Sequence, residues 1–233
     1  MKKMIKRVLI FVLLGGTAFM LLPLVLHTGA GNELNSVAAH YVTRGPAEVG
    51  AQNIVTAVIV TYRGLDTLGE VLVLFLATTG VGFVLRSVGR KKKKAEIKTG
   101  PSEILTTGRR ILLPLIVVFG VYVFAHGHLT PGGGFQGGVI IATGLLLLLL
   151  SSASPSLNRK VLSFSESISG LGYVVLAILG LILAAGFLDS RMLPLGRYGS
   201  LISAGTIPLI YSLIGIKVGS ELVSILDHLR RGE

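Results

Sequence analysis

The sequence of 233 residues contains no cysteine and no tryptophan, and only 14% of its residues are charged. Without cysteine, the chain cannot form disulfides, thiolate zinc sites or iron–sulfur clusters of its own, and it has no cysteine nucleophile. A soluble domain normally carries about 25% charged residues, and no hydrophilic stretch here is long enough to fold as a separate catalytic domain. These absences exclude a self-contained soluble enzyme and predict a membrane protein.

Six apolar stretches are candidates for transmembrane helices, each of which needs about 20 mostly apolar residues. They are Val8–Leu26, Thr67–Val88, Ile111–Ala125, Phe135–Ser151, Ser165–Leu188 and Ser200–Leu226. The predicted fold class is therefore all-α, a polytopic protein of the cell membrane with about six transmembrane helices. Because the third and fourth stretches are short, we expect their helices to continue into polar flanks or to stand nearly upright in the bilayer.

The 22 Lys and Arg residues are divided unequally between the two sides of six such spans. The side that holds both termini and the Lys91–Lys94 run has 17 of them, and the other side has 4. The positive-inside rule then predicts cytoplasmic termini and explains the net charge of +11 without a nucleic-acid partner. A signal peptide is the alternative for the first stretch, but its apolar core exceeds the usual length of about 7–15 residues, so we expect a retained span.

The basic segment between Arg86 and Arg110 also contains Gly100-Pro101, a pair that breaks helices. It predicts a cytoplasmic linker over residues 91–106, which separates a two-span part, residues 1–90, from a four-span part, residues 107–233. The lysine run is interpreted as a solvated face that fixes orientation, rather than as a specific lipid or nucleic-acid site.

The longest region outside the spans, Thr28–Asp66, contains apolar residues at helical spacing. They are Ile54, Val55, Val58, Ile59 and Tyr62. With Asn53 as the N-cap, the pattern predicts a helix that lies along the membrane surface or against a partner subunit.

Acidic residues at the start of the second span are candidates for ion handling, because charges inside a bilayer are costly and often functional. Asp66 and Glu70 are four residues apart on one helix face, and Arg63 can pair with Asp66. Glu70 lies about 6 Å deeper than Asp66, where a carboxylate can bind a cation or take up a proton. The alternative is an anchoring pair, Arg63 with Asp66, and a Glu70 that snorkels or hydrogen-bonds a neighbouring subunit.

Lys217 and Glu221 form a second candidate pair, again four residues apart, in the last span. They could neutralise each other as a structural pair, which is the interpretation we favour, or Lys217 could relay protons. Near the cytoplasmic end, both could also reach the lipid headgroups. Ser163 and Glu166 fit a capping box at the start of the fifth span, so no ion role is predicted for Glu166.

A glycine-rich hairpin joins the third and fourth spans. Its candidate packing residues are His128, Pro131, Gly132, Gly133, Gly134, Phe135 and Gly138. Gly134, Gly138 and Ala142 are spaced by four, so another helix can approach closely, and Gly215 and Gly219 repeat this spacing. His126 and His128 are two residues apart with no further ligand at a suitable distance, so no metal site is predicted. The run lacks the GK[ST] ending of a nucleotide loop.

The hairpin sequence GHLTPGGGFQGG, with Gly215-Ile216-Lys217-Val218, resembles the B subunit of Mrp-type multisubunit sodium/proton antiporters over about Thr107–Leu229. The run RGLDTLGE, which starts at Arg63, resembles the tail of the A subunit of these antiporters. It also resembles the small E-type subunit of archaeal membrane-bound hydrogenase, and this second resemblance covers about residues 1–90. The chain therefore looks like a fusion of two neighbouring subunits.

The resemblance implies a subunit of a free antiporter or of the ion-pumping arm of a membrane-bound hydrogenase, formate hydrogenlyase or sulfur reductase complex. Na⁺ and H⁺ would be the transported ions, the partners would be the other subunits and the lipid bilayer, and redox centres would lie outside this chain. Asp66, Glu70 and Lys217 match the acids and the lysine of the family motifs, and none is a catalytic residue. The alternatives are a structural spacer without ion contact and, less favoured because the spans hold few polar residues, an independent transporter.

Overall fold

The computed structural model describes residues 2–27, 34–89, 102–152, 157–184 and 186–231. Its α-helices are α1 (Lys2–His27), α2 (Ser36–Val49), α3 (Ile54–Thr56), α4 (Gly64–Gly89), α5 (Glu103–Ala125), α6 (Gly134–Leu150), α7 (Arg159–Leu183) and α8 (Ile207–Arg231). A π-helical stretch spans Ala57–Tyr62, and a 3₁₀ turn spans Ser190–Met192. Across the described ranges the only β pairing is an isolated bridge between Gly196 and Ser203, so the all-α fold class is confirmed.

Five of these helices, α1, α4, α5, α7 and α8, are long and apolar enough to cross a membrane. The sixth, α6, has 17 apolar residues and is about 26 Å long at 1.5 Å per residue. The predicted polytopic membrane protein is therefore confirmed. The Lys91–Lys94 run and most of the predicted linker lie outside the described residues.

Three predicted spans have wrong boundaries. The third is not short, because its polar flank is helical and α5 begins at Glu103. The last two shift because the chain between Leu183 and Ile207 turns tightly, with Leu188 and Ala204 in the left-handed region. Gly205 (φ 57) is required there, since a Cβ would overlap the backbone carbonyl oxygen of Ser190. An apolar count does not detect such turns.

The chain forms two compact units, Met1–His40 and Tyr41–Glu233. The first unit contains α1, whose apolar stretch Lys6–Pro23 has no buried residue. The second unit is a bundle in which α8 packs against α4, α5, α6 and α7. In α8, 56% of the apolar stretch is buried, against 11% to 22% in α4, α5 and α7. The central helix of the bundle is therefore α8.

Glycines allow α6 to pack closely between α5 and α8. A Cβ on Gly137 would lie 2.6 Å from the carbonyl oxygen of Gly120 in α5, and one on Gly138 would lie 2.7 Å from that of Gly215 in α8. Contacts this close exclude any side chain, so the backbones themselves touch, as in other small-residue helix interfaces.

The segment predicted as a surface helix is helical, but its environment differs from the prediction. Asn53 is the N-cap of α3, and its side chain accepts hydrogen bonds from the N–H groups of Val55 and Thr56. The inner face of the segment, which includes Thr56, Ala57 and Val60, is fully buried in the core of this chain. The expectation of a helix lying only on the membrane surface or a partner is therefore wrong.

Candidate functional site

A buried ion pair occupies the middle of α8. Lys217 Nζ donates to Glu221 Oε1 at 2.7 Å, and the two side chains are 9% and 0% exposed. Lys217 is ten residues from the first residue of α8 and Glu221 is ten from the last, so each is about 15 Å from the nearer helix end. The alternative in which both residues reach the headgroups is therefore wrong.

Lys217 is enclosed by α4 and α7 as well as by its own helix. Its Nζ lies 5.3 Å from the centre of the Phe75 ring in α4, within the range of a cation–π interaction. On α7, a Cβ at Gly170 would lie 3.4 Å from the same Nζ. The absence of a side chain at Gly170 thus gives the ammonium group its space.

Glu221 has one carboxylate oxygen without a partner. Oε1 accepts from Lys217, whereas Oε2 is buried and has no hydrogen bond to any described residue. The nearby Ser220 hydroxyl donates back to the carbonyl groups of Ile216 and Lys217, so it does not serve Glu221. A buried carboxylate oxygen normally has a partner, which makes this atom an exception that requires an explanation.

Glu166 faces this pair from α7. The antiparallel register of α7 and α8 is fixed at Gly170, which lies beside Lys217, and at Arg159, whose Nε lies 3.2 Å from Asp227 Oδ2. Glu166 is four residues before Gly170, and Glu221 is four residues after Lys217, so the two acids lie at one level. Glu221 also interacts electrostatically with Glu166.

The predicted capping box at Ser163 and Glu166 is wrong. Helix α7 begins four residues before Ser163, at Arg159, and its N-cap is Asn158. The Asn158 side chain accepts from the N–H groups of Lys160 and Val161 at 3.0 and 3.4 Å. Glu166 therefore lies two turns inside the helix and is free of any capping role.

The acids of α4 are in a different environment. Asp66 forms an ion pair with Arg63, and both side chains are at least half exposed. Glu70 is also exposed and has no hydrogen bond or ion pair with another described residue. It interacts electrostatically with Tyr173 and Tyr211. The structure therefore does not bring Glu70 into direct contact with Lys217 or Glu221.

The glycine-rich hairpin is held by two residues of the α3 segment. The Gly127 carbonyl accepts from Asn53 Nδ2 at 2.9 Å and from Thr56 Oγ1 at 2.6 Å, and Asn53 also donates to the Thr130 carbonyl at 3.0 Å. The Tyr211 hydroxyl donates to Thr56 Oγ1 at 2.9 Å, which links the hairpin to α8.

The predicted packing residues of the hairpin differ in their surroundings. Pro131 is exposed, whereas Phe135 packs against the core. Gly132, Gly133, Gly134 and Gly138 all approach neighbouring atoms closely, since a Cβ on any of them would lie under 3.0 Å from another atom. For Gly134 the nearest atoms belong to Ile214 of α8. These glycines therefore set the distance between the hairpin, α6 and α8.

His128 is fully buried at this end of the bundle. Its Nε2 lies 3.4 Å from the Ser200 carbonyl oxygen, so it is the nitrogen that can donate, and Nδ1 has no partner among the described residues. Burial lowers the pKa of His128 below its ordinary value, and the hydrogen bond to Ser200 opposes this shift. His128 is therefore neutral near pH 7 and acts as a packing residue with one hydrogen bond.

A polar cluster near the start of α4 was not predicted. The Tyr62 hydroxyl donates to Glu48, and burial, with the negative charge of Glu48, raises the pKa of Tyr62 to about 12. Arg191 pairs with the buried Asp189 at 2.6 Å, and this hydrogen bond raises the pKa of Arg191. The Asp-Ser-Arg sequence at 189–191, typical of a capped turn, was the available signal.

The described residues contain no group of three or more His, Asp or Glu side chains that could hold a metal ion. The site is thus a set of paired and unpaired ionisable groups inside an apolar bundle. Fold and site together define the class: a multi-pass integral membrane protein of the cell membrane with ionisable groups buried at mid-span.

This chain belongs to the family described as "Domain related to MnhB subunit of Na+/H+ antiporter", whose model matches residues 104–224. A second family, MbhE, described as the E-type component of MBH, matches residues 3–98. The predicted resemblance to an antiporter B subunit and to a small hydrogenase component of the E type is therefore confirmed.

Similar proteins extend over most of the chain. An uncharacterised protein of Methanocaldococcus jannaschii is 31% identical over 191 residues, which cover 71% of this chain and 72% of that protein. A chain of the membrane-bound sulfane sulfur reductase, an archaeal respiratory membrane complex, is 41% identical with a TM-score of 0.80, covering 97% of this chain and 98% of that one. A chain of the Mrp complex from Dietzia sp. is 25% identical with a TM-score of 0.74, covering 96% of this chain but 26% of that one.

Proposed function

We propose that this chain is a membrane subunit of a multisubunit complex that exchanges Na⁺ for H⁺, and that the centre of α8 forms part of the ion or proton route. The observation that carries the proposal is the Lys217–Glu221 pair, buried at mid-span with one carboxylate oxygen unpartnered. Replacing a buried ion pair by apolar residues is often neutral or stabilising, so a helix that only packs has no need of one.

The pair can change its charge state without large movement. At 2.7 Å, a proton can pass from Lys217 Nζ to Glu221 Oε1, which converts an ammonium and a carboxylate into a neutral amine and a neutral acid. Both states have the same total charge, so the transfer exchanges a separated charge pair for a neutral pair in an apolar surrounding. A group that gains or loses a proton in this way is suited to a relay.

Glu70 is proposed as a second group on the route, and Asp66 as its neighbour at the end of α4. Glu70 is exposed on this chain at about 9 Å from the start of α4. A carboxylate at that depth is costly against lipid, which favours contact with another subunit or with a transported cation. Glu70→Gln should lower Na⁺-dependent transport while the complex still assembles.

The proposed partners are the other subunits of an Mrp-type antiporter or of a membrane-bound hydrogenase or sulfur reductase complex. The match to a sulfur reductase chain over 98% of that chain's length favours the respiratory type. A C-terminal tag, extraction in mild detergent and mass spectrometry of the co-purified subunits would test this. Nickel–iron or flavin and iron–sulfur subunits would support a redox-driven pump, and antiporter subunits alone would contradict it.

The test of the route uses inside-out membrane vesicles that contain the assembled complex. Adding Na⁺ to vesicles that hold a proton gradient should collapse the gradient, and Glu221→Gln or Lys217→Gln should slow this collapse at least severalfold. The matched control is Glu103→Gln, which changes an exposed acid in the first turn of α5. A normal collapse in both α8 variants would overturn the proposal.

The second candidate function is an architectural spacer, favoured by the close glycine contacts of α6. It predicts that the α8 variants act only by loss of subunits from the complex. Native gels run on the same vesicles separate the two functions, because a route residue lowers transport in complexes that retain every subunit.

A further inference from the structure

The centre of the bundle carries one excess negative charge. Lys217 contributes a positive charge, and its partner Glu221 balances it. Glu166, which faces Glu221 across α7 and α8, adds a second negative charge when it is ionised. The three residues together therefore have a net charge of −1 unless another ion or a proton is bound.

The other ionisable residues of the helices packed against α8 lie at other levels of the bundle, and α6 contains none. Arg109 of α5 and Arg230 of α8 both bond Ser152, so Arg109 lies about nine residues along α8 from Glu221. The remaining ones within the described helices nearest this level are Glu70 in α4, Tyr122 in α5, Tyr173 in α7, and Tyr211, Asp227 and His228 in α8. Of these, Asp227 is paired with Arg159. None of them compensates the charge of Glu166.

The unpartnered oxygen of Glu221 lies where this charge is uncompensated. Lys217 occupies Oε1, and Oε2 is buried without a partner among the described residues. An ionised oxygen in an apolar interior requires a proton, a cation or a hydrogen-bond donor, because its desolvation is otherwise too costly. Two carboxylates that share one site normally hold one proton between them, and carboxylate oxygens are also ligands for hard cations such as Na⁺.

We propose that Glu166 and the free oxygen of Glu221 bind one small monovalent cation, either a shared proton or a Na⁺ ion. Occupation brings the three-residue cluster of Lys217, Glu221 and Glu166 to zero net charge. Glu166 is partly exposed, whereas Glu221 is fully buried, so the cation enters past Glu166. The inference deepens the proposed function, on which it rests, by naming the binding site and the class of ion.

The experiment measures occupancy without transport. Dicyclohexylcarbodiimide reacts with protonated carboxyl groups in apolar surroundings, and the modified glutamate can be located by mass spectrometry of the purified complex. We expect labelling at Glu166 or Glu221 that falls by about tenfold per pH unit above its midpoint. Absence of label on both residues, or labelling independent of both pH and Na⁺, would overturn the proposal.

Two arms distinguish the ions. At fixed pH, protection by Na⁺ but not by choline identifies a site that Na⁺ can occupy, whereas pH-dependent labelling without Na⁺ protection identifies a proton site. Both results support the proposal. Glu166→Gln should reduce the labelling of Glu221 severalfold, because Lys217 then balances Glu221 alone. Unchanged labelling of Glu221 in that variant would show that Glu166 is not part of the site.

Two further variants complete the design. Lys217→Gln should increase labelling, since it removes the positive charge that competes with the proton. Glu103→Gln is the control and should change nothing. Because labelling is read on resting complex, a labelled site in a complex without Na⁺-dependent transport would overturn only the proposed function. Transport without any labelled site would overturn only this inference.

Discussion

The middle of α8 and the hairpin end of the bundle both bury polar side chains, but they satisfy them in different ways. At the hairpin end, Asn53, Thr56 and Tyr211 form a connected set of hydrogen bonds to the backbone of the hairpin. At mid-span, Lys217 and Glu221 satisfy each other and leave one carboxylate oxygen open. A satisfied network rigidifies a fold, whereas an open charged group requires an additional ligand. The contrast separates a structural region from a candidate functional one.

The largest expected effect comes from breaking the mid-span pair. Lys217→Met leaves Glu221 buried without its cation and should destabilise the protein by about 3–5 kcal/mol. The double change Lys217→Met with Glu221→Met removes both charges and should recover most of that stability while transport stays low. Thermal loss of this chain from the detergent-solubilised complex measures the first quantity, and vesicle assays measure the second. A double variant with normal transport would make the pair structural.

A smaller effect is expected at the hairpin end. Asn53→Ala removes the cap of α3 and the two hydrogen bonds that its side chain donates to the hairpin. Loss of a cap costs about 1 kcal/mol and each lost hydrogen bond about another 1 kcal/mol, so a loss of about 2–3 kcal/mol is expected. Transport per assembled complex should be unchanged. Reduced transport at full assembly would place the hairpin in the route and remove the contrast.

His128 gives the hairpin end a pH dependence of known sign. Burial lowers its pKa below the ordinary value of about 6.5, so between that value and the lowered one the unfolded hairpin binds a proton and the folded one does not. Its contribution to stability is therefore full above about pH 6.5 and is lost as the pH falls. Thermal stability should decrease from about pH 7.5 to about pH 5.5, and His128→Gln should reduce that decrease. His126→Gln, a change at a neighbouring and less buried histidine, is the control.

The sequence predicted what depends on local spacing and composition. The apolar stretches indicated the spans, and the four-residue spacing indicated the Lys217–Glu221 pair. The Asn53 cap also followed from local sequence. What it could not predict depends on contacts between distant segments. The depth of the pair in the bundle and the position of Glu166 opposite Glu221 follow from the register of α7 and α8, which no local pattern specifies. The Asp189–Arg191 turn interrupts an apolar region, so hydropathy extended the neighbouring spans into it.

The smallest expected effect concerns the space beside Lys217. Gly170→Ala places a methyl group 3.4 Å from Lys217 Nζ, an ordinary contact with the end of a flexible side chain, so stability should change by less than about 1 kcal/mol. The matched control is Gly69→Ala in α4, where no atom lies within 4 Å of the added group. If the ammonium group moves during transport, Gly170→Ala should slow transport about twofold or more at unchanged stability, and Gly69→Ala should not. Equal rates in the two variants would mean that Lys217 remains fixed during transport, as an anchoring residue does.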